Sequence, residues 1–206
     1  MKKNALIVLF LYTCIATPAQ DNKLGISFLQ NYSTFRYVGS GGNKDDLGFT
    51  VKYGYGLSYQ KVNAKNFFLE GLLMYNNKGA TSTLDLEQLD WSFHYINTRI
   101  SLGHNFIFGR LYPNVGCGIC FGRLLKADQY IGSAHYDLMA INAVKRNDFG
   151  IDVFGGIEYG YSDDGSVFLR LNESIGLLQL EEGDADQKMF NRTFSVQIGL
   201  LFPIKE

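Results

Sequence analysis

The sequence predicts an all-β fold, an eight-stranded antiparallel up-and-down transmembrane β-barrel, and three observations carry that expectation. The first is one long alternation. Phe49, Val51, Tyr53, Tyr55, Leu57 and Tyr59 fall on one face, and Thr50, Lys52, Gly54, Gly56, Ser58 and Gln60 on the other. Successive strand side chains point to opposite faces, so a period of two held this long describes a strand of the ~10 residues that cross a bilayer at a tilt. The second is composition: 23 Gly, 16 Phe and 13 Tyr against 3 Pro in 206 residues. Glycine-punctuated aromatic strands with little proline suit a sandwich or a barrel. The third is that the segments between strands alternate between short and long, as in outer-membrane barrels.

Taken in order, the chain opens on a secretion signal at residues 1–19. Lys2 and Lys3 form its basic start, Ala5 to Ile15 its apolar stretch, and Thr17, Pro18 and Ala19 the small residues of a cleavage site before Gln20. Acylation at Cys14 is disfavoured by Tyr12 and Thr13 before it. Residues 20–206 then form one barrel domain. No later stretch resembles a ~20-residue apolar helix, so a helical membrane protein is not indicated, and the net charge of −1 does not suit an electrostatic nucleic-acid binder.

Seven further segments share the alternation. Leu24, Ile26 and Phe28 alternate with Gly25 and Ser27. Phe67, Leu69, Leu73 and Tyr75 lie opposite Glu70. Ile96, Thr98, Ile100 and Leu102 oppose Asn97, Arg99 and Ser101. Leu111, Val115, Cys117, Ile119 and Phe121 oppose Asn114, Gly116, Gly118 and Cys120. Phe149, Ile151, Val153, Ile157 and Tyr159 oppose Asp148, Asp152 and Glu158. Val167, Leu169 and Leu171 oppose Arg170 and Asn172, and Phe194 to Phe202 closes the set. The short connections are 61–66, 105–110 and 161–166; the long polar ones are 36–47, 77–90, 124–147 and 177–191. Short turns belong on the periplasmic side. Within the longest loop, Asp137 to Arg146 is expected to form one or two helical turns capped by Asp137.

The choice between lipid and water outside rests on the second face. A soluble barrel would hide its apolar set and carry many Lys and Glu outside; a membrane barrel inverts this. Here the second face is Gly, Ser, Thr, Asn and single charges, which suits a narrow filled lumen. Phe49, Tyr59, Phe67, Tyr75, Phe149 and Tyr159 would form the interfacial girdles. Lys52, Arg99 and Arg170 then share the lumen with Glu70, Asp152 and Glu158, and are expected to form a structural network of paired charges.

Other chemistry is thinly signalled. Cys117 and Cys120 have redox spacing, but residues three apart on a strand lie ~10 Å apart on opposite faces, beyond disulfide reach. Ser133, His135 and Asp137 can be drawn as a catalytic triad, although nothing in the sequence makes them converge. His94 and His104 lack metal-ligand spacing. Glu181, Glu182, Asp184 and Asp186 form an acidic run best read as a solvated loop. No catalytic residue, cofactor or metal is expected.

Leu73 to Ala80, Asn147 to Gly150 leading to Gly155 to Glu158, Arg170, and the glycine-rich Pro113 to Gly122 together resemble the PorT-like outer-membrane β-barrel family of Bacteroidota. Tyr95 is followed by Ile96 where family members usually carry proline. The resemblance implies a barrel in the outer membrane and little chemistry, with a name drawn from secretion of gingipain-like proteases. The expectation is therefore a non-enzymatic structural or interaction protein, accessory to secretion or envelope function. Its partners would be outer-membrane lipid and lipopolysaccharide, the barrel-assembly machinery and envelope or secretion proteins. A small porin-like pore and a lipid-modifying enzyme are the alternatives.

Overall fold

The computed structural model describes residues 19–38, 44–84, 87–162, 164–182 and 188–204. Of the signal segment only Ala19 falls within them, and it already belongs to a strand. The strands are β1 (Ala19–Val38), β2 (Lys44–Asp46), β3 (Thr50–Asn63), β4 (Phe67–Leu84), β5 (Glu87–Asn105), β6 (Leu111–Ile131), β7 (Ala134–Asp137), β8 (Asn147–Ser162), β9 (Gly165–Gly176) and β10 (Lys188–Pro203). Eight of them form an antiparallel ring in the order β1, β3, β4, β5, β6, β8, β9, β10. The ring closes where β10 pairs with β1, from Lys23 opposite Pro203 to Val38 opposite Lys188. Closure leaves no wall strand with an unpaired edge among the described residues, which a lipid-exposed sheet requires. β2 and β7 are short additions to β1 and β6.

The β3–β4, β5–β6 and β8–β9 turns lie at one rim. Between β3 and β4 the Asn63 Oδ1 accepts N–H bonds from Lys65 and Phe67, and Asn66 takes a left-handed φ of 63°. Asparagine tolerates both roles, so this turn closes in three residues.

The wall is built in two tiers. In the lower one, Leu24, Val51, Leu57, Leu73, Ile100, Val115, Val153 and Leu171 point outward and are exposed, while polar residues point inward. So continuous an apolar belt is a lipid-facing surface. In the upper tier the alternation inverts. Leu89, Trp91, Phe93 and Tyr95 of β5 turn inward and are buried, whereas Gln88, Asp90, Ser92 and His94 face out. The inversion needs no break in the chain, because the surroundings of the outer face change from lipid to water between Tyr95 and Ile96. β6 adapts through a bulge: Tyr95 pairs with Leu124 but His94 pairs with Lys126, so Leu124 points inward and the extra Leu125 outward. One extra residue flips every later side chain to the other face.

The long polar loop expected at 77–90 is thus mostly strand, with β4 and β5 paired up to Leu84 opposite Glu87. Likewise β6 runs on to Ile131 and pairs with β7 inside the expected 124–147 loop. The helical turns expected from Asp137 do not form. Asp137 Oδ1 does accept the N–H groups of Met139 and Ala140, but the chain turns over 138–142 and Asn142 adopts a φ of 52°. Tertiary anchoring overrides the local preference. Leu138 and Val144 are buried in the upper tier, and Val144 bridges to Glu181.

Candidate functional site

The interior of the barrel is layered, and the inward glycines make the layering possible. A side chain on Gly156 would come within 2.6 Å of Arg170 Cγ, one on Gly103 within 2.2 Å of the Phe68 ring, and one on Gly116 within 2.4 Å of the Phe154 ring. Small residues on some strands therefore give room to a few large ones on others, as an eight-stranded lumen demands.

The middle layer centres on Glu70 of β4. Its Oε2 lies 2.6 Å from Arg170 Nη1 of β9, and its Oε1 lies 3.2 Å from Arg99 Nη2 of β5. Arg99 also reaches Asp152 of β8 at 3.6 Å, Asn172 at 3.1 Å and Gln197 at 3.4 Å. Phe168, Phe154 and Phe68 cover the Arg170 guanidinium, at 4.7, 5.1 and 5.5 Å from its carbon to their ring centres. Arg170 is 0% exposed and Glu70 1%. Charges so far from water persist only when paired and hydrogen-bonded, and a ring face adds attraction for a guanidinium.

Below this layer Glu158 accepts from Lys23 at 2.7 Å and from Ser166 at 2.6 Å. A polar vestibule of about 300 Å³ opens there at the short-turn rim, lined by Lys23, Asn105, Tyr112, Glu158 and Ser166. Above it, Lys78 lies 3.5 Å from Asp148, and Asn191 donates to Asp148 at 2.7 Å and to the Tyr95 hydroxyl at 3.3 Å. The upper tier then fills with Phe35, Ala80, Leu89, Trp91, Phe93, Leu124 and Ala127, and Leu138, Val144 and Leu180 enter from the connecting segments.

Of the six lumen charges read from the sequence, Glu70, Arg99, Asp152 and Arg170 meet in one network. Glu158 instead pairs with Lys23 of β1. Lys52 is half-buried on β3 and forms no ion pair with any described residue. Sequence reasoning misses Lys78 and Lys23 as interior charges, and it sets Asp148 on the inward face without including it in the network. Lys78 lies where the outer face stops being apolar and strand periodicity is lost to inspection.

The remaining candidates separate. His135 Nε2 lies 2.8 Å from Asp128, which also receives Lys126 at 2.8 Å, whereas Asp137 caps the following turn. Among the described residues no hydrogen bond joins Ser133 or Asp137 to His135, so the drawn triad is not assembled. His94 Nδ1 meets the Tyr75 hydroxyl at 2.7 Å, and the His104 ring lies tilted against Phe67 and edge-on to Phe106. Cys117 is exposed on the outer wall and Cys120 buried on the inner one. Among the described residues no three His, Cys, Asp or Glu side chains are grouped to hold a metal ion. Asp184 and Asp186 lie outside the described residues.

Above the belt two carboxyls are shifted oppositely. Burial alone would raise Asp128, but hydrogen bonds from Lys126 and His135 hold it below its usual 3.8. Burial pushes Glu181 above its usual 4.5.

No family model matches the chain, and no curated protein matches it in sequence. Among solved structures it is similar to the outer membrane protein OprG from Pseudomonas aeruginosa, at 12% identity and a TM-score of 0.58, over 92% of this chain and 98% of that one. It is also similar to Neisserial surface protein A, at 10% identity and a TM-score of 0.50, over 87% and 97% of the two chains. The outer membrane protease OmpT from Escherichia coli matches at 10% identity and a TM-score of 0.50, over 92% and 98%. These likenesses are of fold. With the closed ring and its lipid-facing belt, they make the chain an outer-membrane β-barrel.

Proposed function

We propose that this protein is a sealed, non-enzymatic outer-membrane barrel of the PorT-like kind, serving envelope or secretion function as a structural or interaction component. The observation that carries this reading is the filling of the lumen. A pore needs a continuous aqueous path, whereas here Arg170 and Glu70 bridge the bore beneath an apolar cap containing Phe93 and Leu180. The pairing of His135 with Asp128 rather than Asp137 supports a reading without catalysis. Interaction would then fall to the upper tier, where β4 to β7 stand above the lipid belt and β7 is exposed along its length. A liposome-swelling assay with small sugars tests it. Reconstituted protein should give the rate of empty liposomes, and sugar-dependent swelling would refute the sealed barrel.

A further inference from the structure

The polar vestibule at the short-turn rim has a floor whose hydrogen bonding is incomplete. Both donors to Glu158, Lys23 Nζ at 2.7 Å and Ser166 Oγ at 2.6 Å, bond the same oxygen, Oε1. Glu158 is 1% exposed, and its Oε2 is buried with no hydrogen-bond partner among the described residues. Asn105, two wall strands away on β5, lines the same vestibule, and its buried Oδ1 is likewise unpartnered. Opposite it in register, Asn114 donates its Nδ2 to the Tyr112 carbonyl at 3.2 Å, which leaves its own Oδ1 as a third unpartnered acceptor. Buried acceptors without donors are costly, so this floor calls for N–H or O–H groups from a ligand.

Water supplies donors but no charge, and the charge here is also unbalanced. The lining holds two carboxylates, Glu158 and Asp21, against one cation, Lys23, which is already engaged at Oε1. Lys61, Lys65 and Arg110 stand near the same rim but outside the lining, and solvent screens charges held that far out. The side walls are apolar, with Val62 and Leu201 buried and Ile107 exposed. Negative charge and unpartnered acceptors beneath apolar walls complement an ammonium on a hydrocarbon stem, which buries its methylenes and donates three N–H bonds from its tip.

We propose that the vestibule binds one primary alkylammonium group from the periplasmic side. The tip donates to Glu158 Oε2, with the Asn105 amide oxygen as a second acceptor in the same cavity, and the stem lies along Val62 and Leu201. The site lies below the Arg170–Glu70 pair and stands whether or not the bore above it is sealed.

Isothermal titration calorimetry of the full-length folded barrel in dodecyl maltoside tests this. The methylamide of N-acetyl-lysine should bind, one per barrel. Its Nε-acetylated form has lost the charge, and its Nε-trimethylated form keeps the charge without N–H donors; each should bind at least about tenfold more weakly. Glu158→Gln keeps the side-chain shape and should weaken the unmodified ligand by a similar factor. No binding of the unmodified ligand, equal affinity of either modified form, or full affinity of Glu158→Gln would overturn the proposal. The modified ligands are compared on wild type, so the test holds even should Glu158→Gln fail to fold. Cadaverine separates the sources of the group: binding tighter than that of the lysine amide assigns it to a free polyamine and weaker binding to a polypeptide side chain, and either sustains the site.

Discussion

Arg170 and Glu70 stand on opposite walls of the barrel, four strands apart in either direction around the ring, and their side chains meet at 2.6 Å in its centre. The pair therefore ties β9 to β4 across the bore. Removing the carboxylate leaves Arg170 and Arg99 buried without their shared partner. Glu70→Ala should destabilise the folded barrel by about 3–5 kcal/mol, with Glu70→Gln less severe. Band shift against temperature on semi-native gels reads this out, and wild-type heat resistance of Glu70→Ala would contradict it.

The reach of Arg170 depends on a gap. Gly156 sits beside it in register on β8, and any Cβ there would lie 2.3 Å from the Leu169 carbonyl as well as against the arginine stem. Backbone cannot retreat as a flexible side chain can. Gly156→Ala should cost about 1–3 kcal/mol by overpacking, measured by urea unfolding in detergent micelles. Measured in an Arg170→Ala background, itself destabilised by loss of the pair to Glu70, the same Gly156→Ala change should cost less, because the crowded stem is gone.

Trp91 is the single tryptophan of the chain, and it is 8% exposed inside the upper tier. Interfacial tryptophans of membrane barrels normally face lipid. Trp91 emission should therefore be blue-shifted yet insensitive to lipids brominated along their acyl chains. Strong quenching by those lipids would place Trp91 on the outer wall and rule out the inverted upper tier.

Two carboxyls above the belt give opposite pH dependences. Asp128 is held below 3.8, so its contribution is present above that value and is lost as pH falls through the lower folded value. Glu181 is raised above 4.5, so its contribution is full below that value and is lost as pH rises through the higher folded one. Asp128→Asn should loosen the β6–β7 hairpin at pH 7 and make no difference in strong acid. Glu181→Gln should tighten the Val144–Glu181 bridge at pH 7 and bring no gain near pH 4. Amide hydrogen exchange at Leu138 and Lys145, whose N–H groups bond Ala127 and Leu180, measures both.

The lower tier is legible in the sequence because its two faces meet contrasting surroundings: lipid outside selects Leu57 and Val153, and a tight bore selects Gly56 and Asp152. Glu70, Arg99, Asp152 and Arg170 can be placed inside for the same reason. The upper tier is hidden by a change of solvent rather than of structure. Tyr95 and Ile96 are adjacent apolar residues on opposite faces, one buried and one exposed, and such a step resembles the end of a strand. Lys78 disappears into the loop so inferred, and with it the pair to Asp148. The partner of Glu158 escapes for a different reason. Lys23 lies beyond the clean alternation of β1, and only closure with β10 fixes how far that strand extends.

Closure of the bore is tested most directly by single-channel recording in planar bilayers. The wild type should give a baseline indistinguishable from that of protein-free membranes. Steady openings of nanosiemens size from the folded barrel would contradict the sealed lumen, since no such path fits past Arg170, Glu70 and the packed upper tier.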